Sequence, residues 1–123
     1  MSNVNCALRL SKKSNQRSNY EPNTAILEMI NEGLSSFGNL AKEAIYRNLE
    51  RQFKIKEEEI PCKIEEFTDA IEQMLGNGAK IVEIEIIKKI HKRMPKFVFF
   101  PKEPDLNFKD YLLSFNSYLL SIA

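Results

Sequence analysis

"KIVEIEIIKKIHKRM", residues 80–94, can be threaded two ways, and the choice decides the fold. As a strand, residues 81–87 would set Val82, Ile84 and Ile86 on one face but leave Ile81 and Ile87 beside Glu83 and Glu85 on the other. As a helix, Ala79, Val82, Ile86, Ile90 and Met94 fall on one continuous stripe, which Ile87 widens. No breaker interrupts the stretch and Pro95 ends it, so its length also selects the helix. Its many β-branched residues lower intrinsic propensity, so packing must hold it in place. The expectation is a central core helix with a cationic C-terminal end.

The same periodicity extends on both sides. Asn23 or Thr24 can cap a first helix carrying Ile26, Ile30 and Leu34, which "SSFG" breaks near Gly38. A second helix from about Asn39 places Leu40, Ala44 or Ile45, Leu49 and Phe53 on one side, with Glu43 and Arg47 as an i, i+4 pair. "KIKEEEIP" reads as a loop, because Pro61 pushes the residue before it out of helical angles, while Ile55 and Ile60 can dip into the core. Its glutamates form a solvated surface. A third helix, residues 63–75, aligns Ile64, Phe67, Ile71 and Leu75 and stops at Gly76. "KFVFFPKEP" is then an extended connector whose Phe97, Phe99 or Phe100 covers an open end of the bundle. Asn107 can cap a fifth helix with Phe108, Tyr111 or Leu112, Phe115, Leu119 and Ile122 along one side.

The 123 residues suit one domain, and 43% hydrophobic with 28% charged residues is an ordinary globular balance. Four glycines and five prolines fit long helices better than many short strands. The expected fold is therefore all-α: a compact bundle of four to five helices over residues 23–123, with a core at 37–94 and a C-terminal connector and helix at 95–123. Residues 1–22 precede it as a flexible basic N-terminal arm, rich in Ser and Asn.

The net charge of +1 hides an asymmetry. Residues 1–20 carry Arg9, Lys12, Lys13 and Arg17 and no acid. Cys6 and Cys62 show no CxxC or His-paired spacing, which favours two free thiols in a reducing, cytoplasmic compartment. "MSNVNCALRL" lacks the apolar core of a secretory leader, and the richest apolar run, "YLLSFNSYLLSIA", is too short and too serine-broken to span a bilayer. No membrane association is expected.

Across Phe37 to Met94, "AIYRNLERQF", "IKEEEIP" and "EEFTDAIEQMLGNGAKIVE" stand in an order and spacing that resemble an archaeal family, the Nitrosopumilus output domain. The resemblance implies a small all-helical module that acts as an output or interaction element of archaeal signalling proteins. It implies no cofactor and assigns no functional residue. The usual setting of such a module includes a receiver or sensor domain, and none is expected within these 123 residues.

Little in the sequence offers chemistry. "GNGAK" lacks the spacing of a phosphate-binding loop and follows a helix, not a strand. His91, the only histidine, lies among Lys88, Lys89, Lys92, Arg93 and Lys96, a cationic setting that disfavours a bound metal. It reads as a surface or boundary residue. Glu83 falls inside the apolar stripe of the fourth helix and must pair, sit near the helix start or titrate upward. Without paired acids, a ligand cluster or a nucleophile motif, neither an enzyme, a cofactor nor a small-molecule substrate is expected.

Two binding functions remain. The leading expectation is a non-enzymatic interaction or signalling module whose partner is another protein or a second copy, using Phe99, Phe100, Phe115, Leu119 and Ile122 for self-association. The alternative is a nucleic-acid-associated protein whose anion contacts are Arg9, Lys12, Lys13, Arg17, Lys88, Lys89, Lys92, Arg93 and Lys96. Helices three and four around "GNG" imitate a helix-turn-helix, but a fourth helix beginning "AKIVEIEII" faces the core rather than bases.

Overall fold

The computed structural model describes residues 22–99 and 107–122. Five α-helices account for most of them: α1 (Pro22–Ser35), α2 (Asn39–Phe53), α3 (Ile64–Leu75), α4 (Ala79–Arg93) and α5 (Phe108–Ile122). Single 3-10 turns at Glu57–Cys62 and Gly76–Gly78 lead into α3 and α4. The chain is an all-α bundle, as the periodicity requires. The expected flexibility of the basic arm, and the side chain of Phe100, lie outside the described residues.

Residues 80–93 do form a helix, which ends just before Met94. Ala79, Val82, Ile86 and Ile90 are buried along its inner side, and Met94 and Ile87 are half-buried beside them. The centre of the bundle, however, is α1. It makes its most extensive contact with α4 and also touches α2, α5 and the Glu57–Cys62 turn. Ile26, Met29, Ile30 and Leu34 fill its buried side, and Gly33 lets α4 approach closely. The helix begins one residue before the expected caps, because Pro22 has its φ preset for a first helical position and no N–H to leave unpaired.

The expected loop before α3 is wound more tightly than the proline suggests. Glu57–Cys62 forms a 3-10 turn with Pro61 inside it and buried. The Glu59 carboxylate closes its start by accepting the backbone N–H of Lys56 at 3.0 Å. Glu57, Glu58 and Glu59 all fall in its first turn, where the dipole favours negative charge. Ile55 and Ile60 reach the core as expected.

Leu40 departs from its expected position: it is 85% exposed, so the inner side of α2 rests on Ile45 and Leu49, with Phe53 half-buried. Burial in α2 begins only at Ile45, and the first turn, which holds Leu40, directly follows Gly38 with its φ of +95°. Gly76 likewise takes a positive φ, +55°, at the end of α3.

The C-terminal segment closes one end. Asn107 caps α5 by accepting the Asp110 N–H on its side-chain oxygen at 3.2 Å. Phe97 of the connector is buried among Tyr111, Phe115 and Tyr118, with ring centroids 5.4, 5.1 and 5.3 Å away. Offset and edge contacts at that range add to the area buried. Lys109 Nζ meets Asp69 Oδ1 at 3.0 Å, tying α5 to α3.

Candidate functional site

The last turn of α4 carries His91, Lys92 and Arg93, cations suited to the negative end of the helix dipole. Arg93 is already engaged across the bundle: one guanidinium nitrogen donates to Glu32 Oε2 at 2.6 Å and the other to Glu28 Oε1 at 3.4 Å. Lys88 donates to Glu85 Oε2 at 3.1 Å. Two of the expected phosphate contacts are thus paired with carboxylates. Lys92 and Lys96 are exposed and Lys89 is half-buried, and no carboxylate among the described residues pairs with them. Arg9, Lys12, Lys13 and Arg17 lie outside the described residues.

Of the residues expected to self-associate, Phe115 and Leu119 are fully buried within the chain's own core. Their apolar surface is spent on Phe97, Tyr118 and the neighbouring helices. Phe99 is half-buried, with its ring 5.4 Å from that of Tyr111. Ile122 is 50% exposed. Leu120, two residues before it, is 43% exposed, and a second exposed apolar pair lies elsewhere: Ile81 and Ile84, one turn apart on α4, are 58% and 48% exposed on the side away from the buried stripe. Phe37 and Leu40 form a third exposed pair at the α1–α2 corner. Ile81 and Ile84 are visible in the sequence as the leftovers of the helical stripe.

Glu83 is buried, at 6% exposure, in the second turn of α4. No ion pair or hydrogen bond closes on its carboxylate among the described residues. Burial, reinforced by the negative charge of Glu72 and only partly opposed by Lys80, pushes its pKa above the ordinary carboxylate value. His91 is exposed. Among the described residues, no group of His, Cys, Asp and Glu could hold a metal ion.

One feature has no counterpart in the sequence patterns. Between the start of α1 and the Glu57–Cys62 turn lies a cleft of about 210 Å³, lined by Asn23, Thr24, Leu27, Glu28, Asn31, Glu57, Glu58 and Pro61. The lining residue Asn31 is held by Tyr46, whose hydroxyl donates to Asn31 Oδ1 at 3.1 Å. Burial and the nearby Glu57 charge push that phenol far above its ordinary pKa, so it stays a donor. The buried Oγ1 of Thr24 finds no hydrogen-bond partner among the described residues. At the cleft's edge Glu59 is held below the ordinary carboxylate range, chiefly by the Lys56 amide and further by Lys63.

Cys62, which ends that turn, is disulfide-bonded. The expectation of two free thiols fails at this residue. Spacing rules for nearby cysteines say nothing about a bond between distant parts of a chain.

No protein-family model, curated protein or solved structure matches the chain.

Proposed function

We propose that the chain is a non-enzymatic helical interaction module that pairs with a second copy of itself through the outer side of α4. The observation that carries this is the exposure of Ile81 and Ile84 on the helix whose other side is core. Adjacent aliphatic side chains left in water on a small bundle are suited to burial in a partner. The resemblance of residues 37–94 to an archaeal output domain supports the same kind of role. The disulfide at Cys62 removes the thiol argument for a reducing cytoplasm, and among the described residues no helix is long and apolar enough to cross a membrane. A cytoplasmic chain would carry that bond as a labile one.

Sedimentation velocity of the wild type and of an Ile81→Lys/Ile84→Lys double variant tests the pairing. The wild type should sediment as a concentration-dependent dimer and the variant as a monomer with unchanged helicity. A wild type that stays monomeric at high concentration overturns the self-pairing.

Exposed Lys92 and Lys96 favour a second reading, in which the basic end of α4 contacts nucleic-acid phosphates. Fluorescence anisotropy with duplex DNA and single-stranded RNA at several salt concentrations tests it. Binding that weakens steeply with salt and is lost in Lys92→Ala/Lys96→Ala supports it, and flat titrations reject it.

A further inference from the structure

We infer that the cleft between α1 and the Glu57–Cys62 turn is the docking site of the chain's own N-terminal segment around Cys6–Leu10, fastened there by a reducible disulfide to Cys62.

Four observations converge. First, Cys62 is disulfide-bonded, and the only other cysteine of the chain is Cys6. Second, both attachment points of the segment sit on the same cleft. Residue 21 joins Pro22 directly before the lining residues Asn23 and Thr24, and Cys62 directly follows the lining residue Pro61. The 15 residues from 7 to 21 can span up to roughly 50 Å, so reach imposes no limit. Third, the charges are complementary. The cleft presents Glu57 and Glu58, with no cation among the described residues paired to either, and residues 1–20 carry four cations and no acid. Fourth, the cleft floor is mixed, with Leu27 and Pro61 beside the unsatisfied Thr24 hydroxyl. "CALRL" matches it in kind: Leu8 and Leu10 offer apolar surface, Arg9 offers a guanidinium to the glutamates, and the main chain offers partners to the threonine.

The bond makes the docking conditional. A dithiol reductant delivers two electrons and two protons to the S–S bond, which yields the Cys6 and Cys62 thiols while the dithiol closes to its own disulfide. The segment is then held by the charge and apolar contacts alone. While the bond stands, Arg9 is committed to Glu57 and Glu58 and is withheld from any phosphate. This inference is independent of the α4 pairing surface, which shares no residue with the cleft.

The test uses the full air-oxidised chain and trypsin, which cuts after Arg9, Lys12, Lys13 and Arg17. Intact mass and thiol titration come first: a monomer mass with no titratable thiol is expected. A disulfide-linked dimer, or two free thiols, overturns the inference. Cleavage after Arg9 should then be about tenfold slower in the wild type than in a Cys6→Ser variant, which leaves the helical body untouched. In the oxidised chain, Glu57→Gln/Glu58→Gln should restore several-fold faster cutting, whereas Glu43→Gln on the outer side of α2 should not. Equal cutting rates in wild type and Cys6→Ser, or indifference to the Glu57 and Glu58 changes, would show that the bond exists without docking and overturn it. Sedimentation of the same Cys6→Ser protein keeps this outcome separate from that of the α4 surface.

Discussion

A Cβ added to Gly33 of α1 would lie 2.6 Å from Cγ1 and 2.8 Å from Cα of Ile86 on α4. Two helix backbones meet here with no room for a methyl group, at the largest helix–helix contact in the bundle. Alanine is a better helix former than glycine, yet overpacking a close crossing costs more than that gain. Gly33→Ala should lower stability by about 1–3 kcal/mol in a denaturant titration. The close neighbours include the Ile86 backbone as well as its side chain, so a second change of Ile86→Ala should not restore the loss.

Ile90 is fully buried on the inner side of α4. Truncation to alanine removes its transfer free energy and leaves a cavity, so Ile90→Ala should cost about 2–5 kcal/mol in urea or guanidinium unfolding. A loss below about 1 kcal/mol would mean that α4 turns a different side to α1.

Lys54 ends α2 in the left-handed region, with φ +59° and ψ +36°, the only non-glycine residue at positive φ among those described. A Cβ there is strained, while the carbonyl that Lys63 Nζ approaches at 3.5 Å belongs to the backbone and survives substitution. Lys54→Gly should therefore stabilise the protein by a few tenths to about 1 kcal/mol, read as a higher midpoint in thermal unfolding. An unchanged or lower midpoint would place the benefit in the Lys54 side chain, which donates to the Arg51 carbonyl at 3.3 Å.

Burial lifts the pKa of Glu83 above its ordinary value of 4.5, with Glu72 adding to the effect and Lys80 opposing it. The folded state thus holds this proton more tightly than the unfolded chain does. Its contribution is most favourable at pH below the ordinary value and is lost as pH rises through the folded one. Glu83→Gln should raise the melting temperature at pH 7, and the difference should shrink as the pH is lowered towards 4. A variant that melts at the wild-type temperature at pH 7 would mean the carboxylate is better solvated than its burial implies.

Cooperation across α1 and α4 gives a smaller effect. Arg93 bridges Glu28 and Glu32, but all three side chains are substantially exposed. Arg93→Met should cost less than about 1 kcal/mol, and the cost should fall further in high salt. A loss well above that range would show that the two carboxylates repel strongly once the guanidinium is gone.

Helix type and extent were legible in the sequence because they follow from spacing along a single segment. The stripe Val82, Ile86, Ile90 identifies α4 without knowing its neighbours, and the Asn107 cap and the stops at Gly38 and Gly76 are equally local. Local order also placed Ile55, Ile60 and one of Phe97, Phe99 or Phe100 in the core, and the structure buries Phe97. What spacing could not settle was the use of each apolar or charged residue once helices meet. Leu40 and Phe115 look alike on a helical wheel, but one stands in water and the other packs its ring against Phe97 in the core. Lys88 and Arg93 read as cations awaiting phosphate until Glu85, Glu28 and Glu32 arrive from the same or the facing helix. Gly33 gave no sign of its role, since nothing within α1 requires a glycine there and only the backbone of α4 does. The cleft beside Thr24 and the bond at Cys62 belong to the same class. Periodicity is a property of one segment and survives without a partner, whereas clearance, ion pairing between helices and disulfide bonding are properties of two segments brought together and exist only in the folded chain.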